Sequence, residues 1–138
     1  MFDFDKVKAA AEAIVDRVDG IYLSTDNTVF SALPALVNVF GKAKKPIFSG
    51  DVTGAKAGGI ALASGFNYYK AGRATGEMVV QILNGKKPSE LPVRFMTDPS
   101  DSDFLVDLDV FKTLGIKLDD KYLNMANLVF ENGVLTEK

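Results

Sequence analysis

The sequence contains no cysteine and no histidine, and these absences exclude several kinds of chemistry. Without cysteine there is no disulfide and no thiolate nucleophile, and without histidine there is no Ser-His triad and no usual zinc ligand. No hydrophobic run is long enough to span a membrane. The net charge is −2 and no stripe of lysine and arginine is present, which argues against a nucleic-acid partner. We therefore expect no metal, no cofactor and no nucleic acid.

What is present is the composition of an ordinary globular domain. The 138 residues are 47% hydrophobic and 25% charged, enough for one domain with a buried core. Residues 1–6 are acidic and lack the apolar centre of a signal peptide. We therefore expect this chain, on its own, to be cytoplasmic.

The most informative segment is IYLSTDNTV at residues 21–29. Its apolar start predicts a strand, and the apolar period from Phe30 to Phe40 predicts a helix. Small ligands bind where a strand ends and a helix begins in open α/β sheets, and the helix N-terminus there favours an anionic group. A carboxylate at Asp26 would hold an ammonium group, so this turn suits an amino-acid-like zwitterion. The alternative is that Asp26, Asn27 or Thr28 only caps the helix.

Strands and helices alternate along the first two thirds of the chain. The patterns predict strands at 21–24, 46–49, 66–69 and 93–97, with helices near 30–40, 55–64 and 72–83 between them. Pro34 predicts a late or irregular start of the second helix, or a kink in it. This alternation predicts a three-layer, Rossmann-like α/β fold with a parallel sheet.

The pattern changes after Thr97, where an acidic linker begins. It is followed by a predicted strand at 104–108, short helices near 110–114 and 119–124, and Asn-Gly between apolar pairs at 128–135, which is a type I′ hairpin signal. We expect residues 1–97 to form a ligand-binding lobe. We expect residues 98–138 to pack on that lobe or, through side chains such as Phe104, Phe111 and Phe130, on a second copy.

Three motifs in this order, TDNTV at 25–29, KPIF at 45–48 and YYKAGRATGEM at 68–78, resemble one family. It is the ABC-transporter substrate-binding proteins related to tryptophan/tyrosine-binding lipoproteins, which have the two-lobed type I periplasmic-binding-protein fold. The resemblance covers about residues 7–127 and only the second lobe. It implies a non-enzymatic protein, a small-molecule solute, a missing first lobe and an ABC-transporter permease as partners, and an extracytoplasmic location for the full-length parent.

The resemblance also implies that the ligand contacts the strand-end turns that face the cleft between the lobes. A second such turn follows the strand at 46–49, and its carboxylate, Asp51, would share the ligand's ammonium group or only cap a helix. We expect Tyr68 rather than Tyr69 to reach the cleft, because neighbouring side chains on a strand face opposite sides. The predicted ligand-binding residues are Ser24, Thr25, Asp26, Asn27, Thr28, Ser49, Gly50, Asp51 and Tyr68.

Two other classes of function remain open. One is a flavodoxin-like nucleotide-binding or enzymatic domain, but the sequence has no GxGxxG after a strand and no P-loop. The other is an isolated fragment that folds or forms a homodimer without binding a ligand.

Overall fold

A computed structural model describes residues 4–138, and its helices and strands alternate for most of the chain. The strands are β1 (Ile21–Leu23), β2 (Ile47–Ser49), β3 (Leu62–Phe66), β4 (Ser102–Asp107), β5 (Leu128–Glu131) and β6 (Val134–Glu137). The helices are α1 (Phe4–Ile14), α2 (Asn27–Ser31), α3 (Leu33–Lys42), α4 (Val52–Ala55), α5 (Tyr68–Leu83), α6 (Leu108–Leu114) and α7 (Asp120–Met125). Short 3₁₀ turns lie at Val15–Arg17, Pro88–Glu90 and Pro99–Asp101.

The strands form one sheet in the order β1-β2-β3-β4-β5-β6. Strands β1, β2 and β3 are parallel, and so are β4 and β5. The Asn67 N–H donates to the Asp101 carbonyl and the Asp107 N–H donates to the Ala61 carbonyl, so β4 begins beside the end of β3 and runs against it. Asp107 therefore lies at the edge of the sheet where β2 begins, opposite to the edge where β1 and β2 end.

Helices cover both faces of the sheet, which makes three layers. Adjacent residues of β4 enter different hydrophobic clusters, because Leu105 packs with the residues of α1 and α3 and Val106 packs with Phe111 of α6. Both β4 side chains have no exposed surface. The predicted α/β class and three-layer architecture are thus confirmed. The sheet is mixed rather than fully parallel as predicted, because β4 and β5 run against β3, and β6 runs against β5.

Pro34 divides the second predicted helix into two. The chain forms α2 up to Ser31, leaves helical geometry at Ala32, and resumes as α3 from Leu33. Pro34 lies in the first turn of α3, where its missing N–H has no helical acceptor to lose. The irregular start predicted for this helix is confirmed.

The predicted helix at 55–64 and the strand at 66–69 are wrong. Helix α4 ends at Ala55, and Gly58 and Gly59, with φ of +84° and +91°, turn the chain into β3. The strand is therefore Leu62–Phe66. Helix α5 begins at Tyr68, earlier than predicted, because the Asn67 side chain caps it by accepting from the Lys70 N–H at 3.1 Å.

The strand predicted at 93–97 is also wrong. The segment has no regular secondary structure, and Val93 and Phe95 are 75% and 74% exposed. An alternating pattern makes a strand only where a neighbour supplies hydrogen bonds, and the sheet of the described residues offers this segment none. The next strand is instead β4.

The C-terminal hairpin forms as predicted, with Asn132 and Gly133 at φ of +52° and +75° between antiparallel β5 and β6. Both φ values are positive, which is the type I′ geometry. The aromatic side chains of this part pack on their own sheet, since Phe111 is buried and Phe104 is packed against its cluster.

The chain divides into two compact units. The sheet unit contains the chain up to Gly65 together with Asp103–Lys138, and the α5 unit is Phe66–Ser102. Within the α5 unit, the Lys70 ammonium donates to the Ser100 carbonyl and Arg94 pairs with Glu77 at 3.0 Å. In the described part of the chain, no helix is both long enough and apolar enough to cross a membrane.

Candidate functional site

The ends of β1 and β2 bring two polar turns side by side in the sheet unit. Leu23 pairs with Ser49 in parallel register, and the Gly50 N–H donates to the Leu23 carbonyl at 2.9 Å. The turn at residues 24–28 is therefore adjacent to the turn at residues 49–51. The structure thus groups eight of the nine residues that the sequence predicts for the site.

The first turn is open to solvent. Ser24, Thr25, Asp26 and Asn27 are exposed, and Thr28 is half-buried. One carboxylate oxygen of Asp26 accepts from the Val29 N–H at 2.9 Å, so Asp26 is the N-cap of α2. Asp26 therefore does cap the helix. Because Asp26 is exposed, this capping role leaves its carboxylate accessible to a solute.

The second turn is closed by its own hydrogen bonds. Ser49 is 4% exposed and Asp51 is 9% exposed. The Ser49 hydroxyl accepts from the Asp51 N–H at 3.0 Å and donates to the Asp51 carbonyl at 2.8 Å. The Asp51 carboxylate accepts from the Thr53 N–H at 2.6 Å and caps α4. These bonds fix the shape of the turn and direct Asp51 towards its own backbone.

Gly50 lies close to Tyr22 and to Gly65, and its contact with Tyr22 was not predicted from the sequence. The Tyr22 hydroxyl occupies the space that a Cβ at position 50 would take, and a Cβ at position 65 would lie 2.7 Å from the Gly50 carbonyl oxygen. Tyr22 is 66% exposed and lies two residues before Ser24 on β1. Since alternate strand residues share a face, this spacing was the signal that could have found it.

Tyr68 belongs to the α5 unit, whereas the two turns belong to the sheet unit. It is the first residue of α5, so the expectation that Tyr68 and Tyr69 alternate along a strand is wrong. The Tyr68 ring lies 4.6 Å from the Phe66 ring and is 53% exposed.

The turns offer hydroxyl, amide and carboxylate groups for hydrogen bonds to a small polar solute. Within residues 4–138, no three acidic, histidine or cysteine side chains are grouped to hold a metal ion. The arrangement is therefore one of hydrogen-bonding groups beside an exposed carboxylate.

The sequence model of the family described as ABC transporter substrate binding protein matches residues 2–130. The chain therefore belongs to the ABC transporter substrate-binding protein family. It is 28% identical over 112 residues to a tyrosine-binding protein of Clostridioides difficile (strain R20291), which covers 81% of this chain and 31% of the relative.

Two solved structures have the same fold. One is an ABC domain from Streptococcus pneumoniae in complex with L-Trp, with a TM-score of 0.77 and 28% identity over 93% of this chain and 42% of that one. The other is a conserved domain protein from Vibrio cholerae O1 biovar El Tor strain N16961, with a TM-score of 0.75 and 28% identity over 95% of this chain and 43% of that one. The chain thus spans less than half the length of each of these proteins.

Proposed function

We propose that the chain is the solute-binding lobe of an ABC importer's substrate-binding protein and takes an amino acid at the two strand-end turns. The observation that carries this proposal is the adjacency of the turns, fixed by the pairing of Leu23 with Ser49 and the hydrogen bond from Gly50 to Leu23. The lobe binds and releases its solute without changing it. The names of the relatives, one tyrosine-binding and one solved with L-Trp, support an aromatic amino acid.

The two turns have different roles in this proposal. The open turn contacts the ligand: Asp26 takes the ammonium group, and the hydroxyl and amide side chains around it donate hydrogen bonds to the carboxylate. The closed turn holds the backbone of Gly50 and Asp51 in place beside it. Tyr22 adds a hydroxyl and an aromatic face at the boundary of the two turns. Tyr68 remains a proposed ligand contact from the α5 unit.

The proposed partners follow from the coverage of the relatives. In a two-lobed protein a first lobe would close over the turns and exclude water, which strengthens the polar contacts. An ABC permease would receive the solute from the two-lobed binding protein. That binding protein would work outside the cytoplasm. A homodimer is the alternative assembly, and it is favoured by the exposed apolar side chains of the α5 unit, such as Tyr69 at 74% and Leu83 at 79%.

The test is a calorimetric titration of L-tryptophan and L-tyrosine into the chain and two variants. A single lobe leaves the ligand in contact with water, so we expect weak binding, with a free energy of binding of about −4 kcal/mol. Asp26→Asn should weaken it by about 1–3 kcal/mol, because a hydrogen bond to a charge is lost. Asparagine still caps a helix, so the melting temperature should change little.

Asp119→Asn is the matched control, because Asp119 is also an exposed N-cap and accepts from the Lys121 N–H at 2.8 Å. It should leave the affinity unchanged. Equal affinity of the Asp26→Asn variant and the parent chain would remove Asp26 from the site. If neither amino acid gives a detectable heat of binding at millimolar concentration, amino-acid binding by this lobe is rejected.

A further inference from the structure

A second concave site lies in the sheet unit, at the sheet edge opposite to the strand-end turns. Its volume is about 420 Å³, and it lies between α3 and α6. It includes Ile47, the first residue of β2, and Asp107, the last residue of β4, which runs against β3. Most of the wall is apolar side chain, from Val37, Ile47, Val110, Leu114 and Phe130.

Two carboxylates line this cavity. Asp107 is 1% exposed, and its two oxygens accept from the Gly59 N–H at 2.8 Å and the Val110 N–H at 3.0 Å. The Asp109 oxygens accept from the N–H groups of the hairpin turn at 2.9 and 3.0 Å. These bonds hold both carboxylates in place. The half-buried Asp109 oxygens can accept a further donor through their second lone pairs, whereas the buried Asp107 contributes its negative charge without direct contact.

The single lysine of the cavity wall is already engaged. Lys45 donates its ammonium to the Val15 carbonyl, on the side of the sheet unit formed by the first 3₁₀ turn. The charges that line the cavity are thus two carboxylates and one ammonium with its own acceptor. Their balance is negative, and it complements a cation.

The glycine pair gives this wall a fixed shape. A Cβ at Gly59 would lie 2.6 Å from Val37 Cγ1, and a Cβ at Gly58 would lie 3.0 Å from Phe130 Cζ. Both residues have positive φ, which glycine adopts without strain. The backbone can therefore bring the Gly59 N–H to Asp107 while the Phe130 ring closes one side of the cavity.

We propose that this cavity binds a small primary amine with an apolar body, the ammonium group at the half-buried carboxylate of Asp109 and the hydrocarbon against the apolar wall. Burial of the hydrocarbon supplies non-directional affinity, and the carboxylate selects the charge. The site is separate from the strand-end turns, so it stands whether or not those turns bind an amino acid.

The test is an NMR titration of ¹⁵N-labelled protein with 2-phenylethylamine, compared with 2-phenylethanol, which has nearly the same shape and no charge. We expect saturable shifts at the Gly58, Gly59 and Val110 amides, and affinity for the amine about tenfold or more above that for the alcohol. Equal affinity for the two probes, or shifts that miss these amides, would overturn the proposal.

Thr113→Trp should block the cavity without touching the bonds of Asp107, because Thr113 is an exposed lining residue whose hydroxyl donates to the carbonyl one turn earlier. Thr75→Trp is the matched control, since Thr75 makes the same bond on exposed α5. We expect Thr113→Trp to weaken the affinity for the amine at least tenfold and Thr75→Trp to leave it unchanged. Retained binding in Thr113→Trp would place the amine elsewhere and contradict the proposal.

Discussion

The sheet unit and the α5 unit bury their apolar side chains very differently. The sheet unit contains side chains with no exposed surface, among them Phe40, Ile60 and Leu105. In the α5 unit, the buried hydrophobic side chain is Ala74, at 5% exposure. Both units contain an amphipathic helix, α3 in the sheet unit and α5 in the α5 unit. In the described residues, only the sheet unit buries large apolar side chains.

The α5 unit depends on local interactions instead. The Asn67 cap and the ion pair of Glu77 with Arg94 are contacts within the unit. Large apolar side chains remain exposed there: Phe66, Tyr68, Tyr69, Val79, Val80, Ile82, Leu83, Val93 and Phe95. An element with little burial opens at low free energy, so we expect the α5 unit to exchange its amide hydrogens before the sheet unit does.

The largest effect should come from truncating the core of the sheet unit. Phe40→Ala removes a side chain with no exposed surface and should lower the free energy of unfolding by about 3–5 kcal/mol. Leu83→Ala, at a position 79% exposed in the α5 unit, should change it by less than about 0.5 kcal/mol. Urea unfolding followed by circular dichroism measures both. Comparable losses in the two variants would show that Leu83 is buried in solution, as in a dimer.

Two glycines with similar backbone geometry sharpen the same comparison. Gly59 in the sheet unit and Gly85 in the α5 unit have φ of +91° and +97°. Alanine at either position is strained, by about 1–2 kcal/mol, but only at position 59 does the Cβ meet a neighbour, Val37, at 2.6 Å. We therefore expect a loss of about 2–4 kcal/mol for Gly59→Ala and about 1–2 kcal/mol for Gly85→Ala in thermal melts. Equal losses would mean that Val37 moves aside at no cost.

Acid should loosen the hairpin of the sheet unit. The Gly133 and Asn132 N–H groups lower the pKa of Asp109, so this carboxylate favours the folded state above the pKa it has in the unfolded chain. That contribution disappears as the pH falls through the lowered pKa. We expect the protection factor of the Gly133 amide, which compares its exchange with that of an unstructured amide at the same pH, to fall in this acid window, and Asp109→Asn to weaken the dependence. Asp120→Asn, which alters an exposed acid on α7, is the control. An unchanged acid response in Asp109→Asn would assign it to another group.

Burial acts in the opposite direction at Asp107. Desolvation raises the pKa of this carboxyl, against the hydrogen bonds from Gly59 and Val110. A raised pKa in the folded state means that stability decreases as the pH rises from the unfolded pKa through the folded one. The titration of the Asp107 carboxyl resonance, followed by NMR, should therefore have its midpoint at a higher pH than that of an ordinary aspartate. A midpoint at a lower pH would contradict this interpretation.

The smallest effect should come from the surface ion pair of the α5 unit. Arg94 and Glu77 are 3.0 Å apart, with about half of each side chain exposed (48% and 58%). Arg94→Ala should cost no more than about 0.5 kcal/mol, and less at high salt. Melting curves at low and high salt measure it. A loss of several kcal/mol would show that the pair holds the unit together.

Features set by neighbouring residues could be predicted from the sequence. The hairpin at Asn132-Gly133, the broken helix at Pro34 and the first two strands each depend on a few adjacent residues. The strand at 93–97 failed because its alternation needs a partner strand that the pattern does not report. The prediction for β3 was wrong because it placed Gly58 and Gly59 inside a helix, whereas α4 ends at Ala55 and the two glycines turn the chain into the strand. At the candidate site, the two turns were predictable, whereas the contact of Tyr22 with Gly50 depends on strand register.

The central claim is that the two turns at the ends of β1 and β2 act together on one amino-acid ligand. An NMR titration of the ¹⁵N-labelled chain with L-tryptophan tests it most directly, because each turn has its own amide signals. We predict that the amides of residues 24–29 and 49–53 shift together and give one dissociation constant, while those of Gly58 and Gly59 stay in place. Shifts confined to other residues, or different dissociation constants for the two turns, would contradict the account.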